Sequence, residues 1–419
     1  MKLKVIRFFS AITLVFSIFS MISCGEKSKP VLKSVFIIVD GIPADIIERV
    51  STPAIDEISA RGGYSRAYVG GEKDGITQTP TVSADSYISM LTSTWFNKHN
   101  IWNNNYKNPN YHYWNIFRIA KNQKKNYTTA VFSTWTDNRT VLVGEEKPEA
   151  GSIKIDFALD VLEDSDIETP SYPQEEHSLQ IFKMDETISQ AAAICIREEA
   201  PDLMWVYLWY TDAVGHEFGD SPQMDKYTEL ADNQVARIWE AVKYREEQHG
   251  EEWMIVVMTD HGRTAFDGKG HGGQSERERT TWISTNVKTN DYFAQGLPAI
   301  TDILPSISRF MGFTIPVDLQ YEQEGAPFID KVSIANIKAE KTGNQIRITW
   351  DNYDDSPVDI FLSVTNNFKD GGKDEWEKVG TIKASQELFV FDCSDQESEF
   401  YKFSLRSKHN MLPVWIKTE

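Results

Sequence analysis

Along residues 30–330 continuous apolar runs alternate with stretches whose apolar residues recur every three or four positions. SVFIIVDG (Ser34–Gly41), MWVYLWYTD (Met204–Asp212) and WMIVVMTDHG (Trp253–Gly262) are largely apolar until an Asp near their ends. Such runs read as strands buried on both faces, which is how parallel sheets are built. Between them, MDETISQAAAICIREEA and YTELADNQVARIWEAVKYREEQ carry helical spacing, and TDILPSISRFMGF (Thr301–Phe313) reads as a late helix. The alternation predicts an α/β fold: a mostly parallel sheet covered by helices on both faces. Past Pro316 and a Gly325–Pro327 break, the period changes to two after about Lys331. NQIRITW, VDIFLSV, LFVFD and FYKFSLRS alternate between polar turns, which predicts a small C-terminal β-sandwich over 331–419, with Trp350 and Tyr401 as core aromatics.

A hydrophobic content of 41% excludes a disordered chain, and 419 residues suit one large domain with a smaller companion. Lys2, Lys4 and Arg7 precede an apolar run from Phe8 to Ser23, too short to span a bilayer comfortably, which ends at Cys24. This start resembles a bacterial lipoprotein signal. It implies a signal peptide at 1–23, a lipid-bearing Cys24 and a tether over 24–31. The expected location is that of an exported lipoprotein, on the periplasmic side or cell surface, membrane-anchored through its N-terminal lipid. Without the leader, 40 basic residues face 62 acidic ones, a net charge of −22. Such a surface repels nucleic-acid backbones, so no nucleic-acid polymer is expected as a partner. Cys195 and Cys393 are expected as buried thiols rather than a disulfide.

The chemistry gathers where the apolar runs stop. Asp40, Asp212 and Asp260 stand at their carboxyl ends, the edge where ligands bind in such sheets. His216 follows Asp212 by four residues, His261 follows Asp260 directly, and His271 stands between Gly270 and Gly272. Asp and neutral His donate oxygen and nitrogen to divalent metals, and glycine leaves room for a ligand-bearing loop. Three Asp and three His divide into two mixed sets, which suits a pair of zinc ions.

VDG, PTVSADSYISMLTSTWFNKHNIWNN, TDAVGHEFG, TDHG and GHGG together, across Ser34–Phe328, resemble the alkaline phosphatase superfamily. Their nearest likeness is to the type I phosphodiesterase/nucleotide pyrophosphatase group. The resemblance implies a catalytic domain over 32–330 and two divalent metal ions, most simply zinc. One would be held by Asp212, His216 and His271; the other by Asp40, Asp260, His261 and the nucleophile. It implies Ser83 as that nucleophile, Asn104 as a phosphate donor, and His99 as a match to a motif histidine. Thr79 and Thr81 remain alternatives, and Ser83 as a cap of the helix ADSYISMLTS is a second reading of its position. Ala84-Asp85-Ser86 departs from the motif's apolar-Pro-Asn. Arg139 in FSTWTDNRT is a candidate substrate contact, since a monoester dianion wants an added cation. The C-terminal pattern resembles a fibronectin type III module.

The implied function is hydrolysis of phosphate esters, of phosphodiesterase or pyrophosphatase type, through a phosphoseryl intermediate, on a phosphorylated small molecule or diester. Alternatives are a phosphomonoesterase or phosphonate hydrolase of the same fold. From another class, a surface-anchored ligand-binding protein with an inactive phosphatase-like domain would also carry these patterns.

Overall fold

The computed structural model describes residues 30–105, 108–160 and 174–417. The expected signal peptide, Cys24 and most of the tether lie outside the described residues. Among the described residues no helix is long and apolar enough to cross a membrane.

Seven strands form the central sheet: β1 (Leu32–Val39), β2 (Gly63–Tyr68), β3 (Thr129–Ser133), β4 (Phe157–Asp160), β5 (Leu203–Leu208), β6 (Glu252–Met258) and β7 (Thr280–Thr285). Their spatial order is β2-β7-β6-β1-β5-β3-β4. The five from β6 to β4 are parallel, and at one edge β7 runs antiparallel to both of its neighbours, β6 and β2. Register fixes what matters for function. Ile38 of β1 lies opposite Tyr207 of β5 and Met258 of β6, so the three apolar runs end side by side.

Both faces of β1 are buried, as the unbroken run of apolar residues requires. Phe36 and Ile38 pack with helices Ser83–Thr92 and Ile303–Met311. Val35, Ile37 and Val39 pack with helices Pro53–Arg61, Gln174–Glu198 and Pro222–His249. The mostly parallel, doubly covered sheet expected from patterning is therefore present. The edge pair β2 and β7 was not legible, because both are short and carry mixed polar residues.

Seven further strands, β8 (Ile334–Thr342) to β14 (Met411–Lys417), form two antiparallel sheets. Three strands, β12 (Leu388–Asp392), β9 (Gln345–Asn352) and β8, face four: β11 (Glu377–Lys383), β10 (Pro357–Ser363), β13 (Phe400–Arg406) and β14. Trp350 and Tyr401 are buried in their shared core, as expected. Cys195 and Cys393 are free and buried.

Candidate active site

Asp40 is the first residue beyond β1 and is almost wholly buried. Its Oδ2 accepts hydrogen bonds from the hydroxyls of Tyr87 (2.5 Å) and Tyr207 (2.6 Å), while its Oδ1 has no hydrogen-bond partner. Asp260, two residues past β6, repeats the arrangement. Its Oδ1 accepts from the Gly41 N–H at 3.0 Å, and its Oδ2 is unpartnered. The two orphaned oxygens lie 3.4 and 3.5 Å from Nε2 of His261. His261 Nδ1–H donates to the Gly262 carbonyl at 3.0 Å, which leaves Nε2 with its lone pair directed at those carboxylates. Two buried acids aimed at one imidazole lone pair lack a cation, and a divalent ion supplies one. Burial and the neighbouring charges of Asp260 and Asp212 push Asp40 well above the usual carboxylate range. Burial likewise pushes Asp260 up to about 6, and pushes His261 and His271 down to about 4, so both histidines are neutral donors near pH 7.

Asp212 and His216 lie one turn apart on helix Tyr210–Phe218, with His216 Nε2 3.4 Å from Asp212 Oδ2. His271 brings its Nε2 to 3.1 Å from that of His216 and to 3.8 Å from Asp212 Oδ1. Its Nδ1–H donates to the Thr81 carbonyl at 3.0 Å, again freeing Nε2. The His261 and His271 rings stack with centroids 3.8 Å apart, so the donor sets adjoin. Asp40, Asp260 and His261 form one group of converging ligand atoms, and Asp212, His261 and His271 form another. All six residues singled out from the sequence are thus brought together. Asp212 differs from expectation in one respect: β5 stops at Leu208, so Asp212 sits in the first turn of a helix rather than at a strand end.

Ser83 opens helix Ser83–Thr92, following Val82, and its hydroxyl makes no capping bond. The hydroxyl instead lies 3.5 Å from His261 Nε2. The Asn104 carboxamide oxygen accepts from the Ala84 N–H at 3.0 Å, which sets the Asn104 side chain beside Ser83. The neighbouring threonines face elsewhere. Thr81 donates to the Gly273 carbonyl and accepts from the Gly272 N–H, both at 3.0 Å, and Thr79 Oγ1 is buried without a hydrogen-bond partner. His99 lies in the core, bonded to Ser89 Oγ at 2.9 Å and to the Ile101 N–H at 3.1 Å.

The sequence matches the family of type I phosphodiesterases and nucleotide pyrophosphatases over residues 34–302. The chain belongs to that family. Type I phosphodiesterases and nucleotide pyrophosphatases are metal-dependent hydrolases acting at phosphorus, and the matched span contains every residue of the cluster. Two solved structures are similar at low identity. One is inactive murine ectonucleotide pyrophosphatase/phosphodiesterase 5 in complex with AMP, 12% identical over 70% of this chain and 97% of that one, with a TM-score of 0.47. The other is phosphonoacetate hydrolase from Sinorhizobium meliloti in complex with phosphonoformate, 18% identical over 56% of this chain and 58% of that one, with a TM-score of 0.39. No curated protein matches the sequence.

Arg139 does not join the cluster. Its Nε and Nη2 bond Asp160 and its Nη1 bonds Glu145, so two carboxylates already take up its charge. Residues that patterning missed surround the cluster. Tyr87 and Tyr207 orient Asp40, and the Thr211 hydroxyl donates to the Asp40 carbonyl at 2.6 Å. Arg263 lies fully buried against Asp212, at 2.5 Å from its Oδ1. The only advance signal for Arg263 was its place inside the glycine-rich stretch between His261 and His271.

Proposed function

We propose that the protein hydrolyses phosphodiester or pyrophosphate bonds in a small phosphorylated substrate, with Ser83 as nucleophile and two divalent ions, most simply zinc. The observation that carries this reading is the convergence on His261. Its Nε2 meets the Ser83 hydroxyl on one side and the orphaned oxygens of Asp40 and Asp260 on the other. The donor chemistry fits. One ion would be held by Asp40, Asp260, His261 and Ser83, and the other by Asp212, His216 and His271. When bound, such ions supply positive charge to the nonbridging oxygens and lower the pKa of a hydroxyl beside them.

The chain's own groups account for the rest. Ser83 heads a ten-residue helix, so the positive end of its dipole faces the position of the phosphate. The Asn104 carboxamide, held through its oxygen, keeps its N–H groups to donate to a nonbridging oxygen. Ser83 Oγ forms a bond to phosphorus as the leaving-group oxygen departs, giving a phosphoseryl ester. Water then attacks phosphorus, the bond to Ser83 Oγ breaks, and the serine is restored.

Arg139 bears on substrate choice. A monoester dianion calls for a cation beyond the metals, and Asp160 and Glu145 occupy the one expected. A diester, with one charge fewer, suits the site better. We further propose that the enzyme acts outside the cytoplasm, tethered by a lipid at Cys24, with a fibronectin type III-like module at its C-terminus.

The test compares hydrolysis of bis-p-nitrophenyl phosphate and p-nitrophenyl phosphate by the purified protein, with metal counted on the same sample. About two zinc ions per chain and faster diester turnover are expected. Preference for the monoester would replace the reading with that of a phosphatase. Ser83→Ala should lower kcat by about 10³-fold or more while keeping the metal; unchanged turnover in that variant would reject Ser83 as nucleophile.

A further inference from the structure

Arg263 has no solvent exposure, yet it lies one side chain away from a group of metal donors. The space it occupies is left by glycines: a Cβ on Gly215 would overlap its guanidinium carbon, and one on Gly41 would crowd its Nη2. Four of its five N–H donors are used. Nε donates to the Gly41 carbonyl at 2.9 Å and Nη1 to the Lys269 carbonyl at 3.3 Å. Nη2 donates to the Asp212 carbonyl at 2.8 Å and to Asp212 Oδ1 at 2.5 Å. Oδ2 of Asp212, which faces His216, accepts no bond from Arg263, whereas Oδ1, on the side of His271, gives one of its lone pairs to the guanidinium.

The two donor groups therefore differ in charge. Asp40 and Asp260 offer an ion two carboxylates, with no Lys or Arg bonded to either among the described residues and His261 as the adjoining nitrogen donor. In the other group the Arg263 guanidinium offsets the single charge of Asp212, and His216 and His271 add nitrogen donors and no further negative charge. They differ in access as well. The side chains of Asp40, Asp260 and His261 are at most 1% exposed, whereas that of His216 is 49% exposed. An ion in the first group relieves two buried, unpaired charges; one in the second meets a guanidinium that water does not screen.

Resting on the two-ion reading above, we propose that Arg263 is a positioning residue that makes the two ion sites unequal. It takes one lone pair of Asp212 Oδ1 and offsets the charge of that carboxylate. The Asp212/His216/His271 site then exchanges its ion with solution, while the Asp40/Asp260/His261 site retains its own. The enzyme would work only while free divalent metal outside the cell fills the weaker site.

The test is a titration of the zinc-loaded protein with zinc-buffering chelators, counting bound zinc per chain. The wild-type protein is expected to lose zinc in two steps separated by at least a hundredfold in free zinc. His216→Ala should remove the weaker step alone. Arg263→Gln, which keeps amide donors but no charge, should tighten the weaker step at least tenfold and leave the stronger one in place. Arg263→Lys, which keeps the charge, should leave it weak. A single step in the wild-type protein overturns the inference, as does a weaker step that Arg263→Gln does not tighten. If the Arg263 variants do not fold, the wild-type titration and His216→Ala still decide. A protein that binds no zinc, manganese or other divalent ion overturns the metal reading itself, and this inference with it. Two zinc ions lost together overturn only the inference.

Discussion

Tyr87 and Tyr207 donate to the same oxygen of Asp40, and by doing so choose which oxygen is left for chemistry. Tyr207→Phe keeps the ring that packs 5.2 Å from Tyr87 and deletes one of the two bonds. Loss of a group that orients a metal ligand typically lowers metal affinity or activity by about 10- to 100-fold. We expect the lower end for Tyr207→Phe, because Tyr87 remains, and the upper end for the double phenylalanine variant. Zinc content and kcat/KM on bis-p-nitrophenyl phosphate would check both, and unchanged values in the double variant would remove the tyrosines from the site. Neither tyrosine was legible as functional. Each sits among apolar residues, Tyr207 in β5 and Tyr87 in helix Ser83–Thr92, and reads as core. The six Asp and His residues were legible because glycines and abrupt strand ends set them apart. Arg139 misled for the converse reason, since a lone arginine in a polar loop gives no sign of the carboxylates that will claim it.

Two helix starts in this protein are fixed from a distance. Asp185, on helix Gln174–Glu198, accepts from the N–H groups of Trp209 at 3.0 Å and Tyr210 at 2.7 Å. That bond pair turns the chain into a helix straight after β5, which is why the apolar run MWVYLWYTD does not continue as strand to Asp212. Asp232, on helix Pro222–His249, does the same for Ala54 and Ile55 at the start of helix Pro53–Arg61. Local capping signals could not reveal either boundary, whereas strands β1, β5 and β6 and the two long helices followed from periodicity alone. The short helix Tyr210–Phe218 offers a sharp test at Gly215. Alanine there should favour an isolated helix, by up to about 1 kcal/mol. Against Arg263 it should instead cost about 1–3 kcal/mol through overpacking, read as a lower Tm of the metal-free protein. A raised Tm would mean that Arg263 can move aside freely.

At the scale of the whole molecule, the shift in period near Lys331 correctly announced the antiparallel sheets, but not how they attach. Lys98 of the α/β part and Lys402 of β13 are both fully buried and both lie over the Trp415 ring, at 4.5 and 4.7 Å from its centre. Lys402 Nζ donates to Glu322 at 2.5 Å and to Asp374 at 2.7 Å, and Lys98 Nζ lies 3.2 Å from Glu324. No hydropathy pattern identifies buried lysines of this kind, because their acids come from remote segments. Lys402→Met would leave Asp374 without its buried cation and Glu322 with only Lys98, 3.8 Å away. We expect a loss of about 3–5 kcal/mol, measured by denaturant unfolding. A loss below about 1 kcal/mol would show that water enters the seam.

That seam also sets terms of inheritance. A sandwich acquired from another protein would bring its own residue at position 402, and any neutral side chain there would leave Glu322, outside the sandwich, to share Lys98 with Glu324. Neither half can drift alone at this point. Descendants of this chain should therefore keep or lose the lysine at 402 and the acid at 322 together, even where the rest of the sandwich has been rewritten.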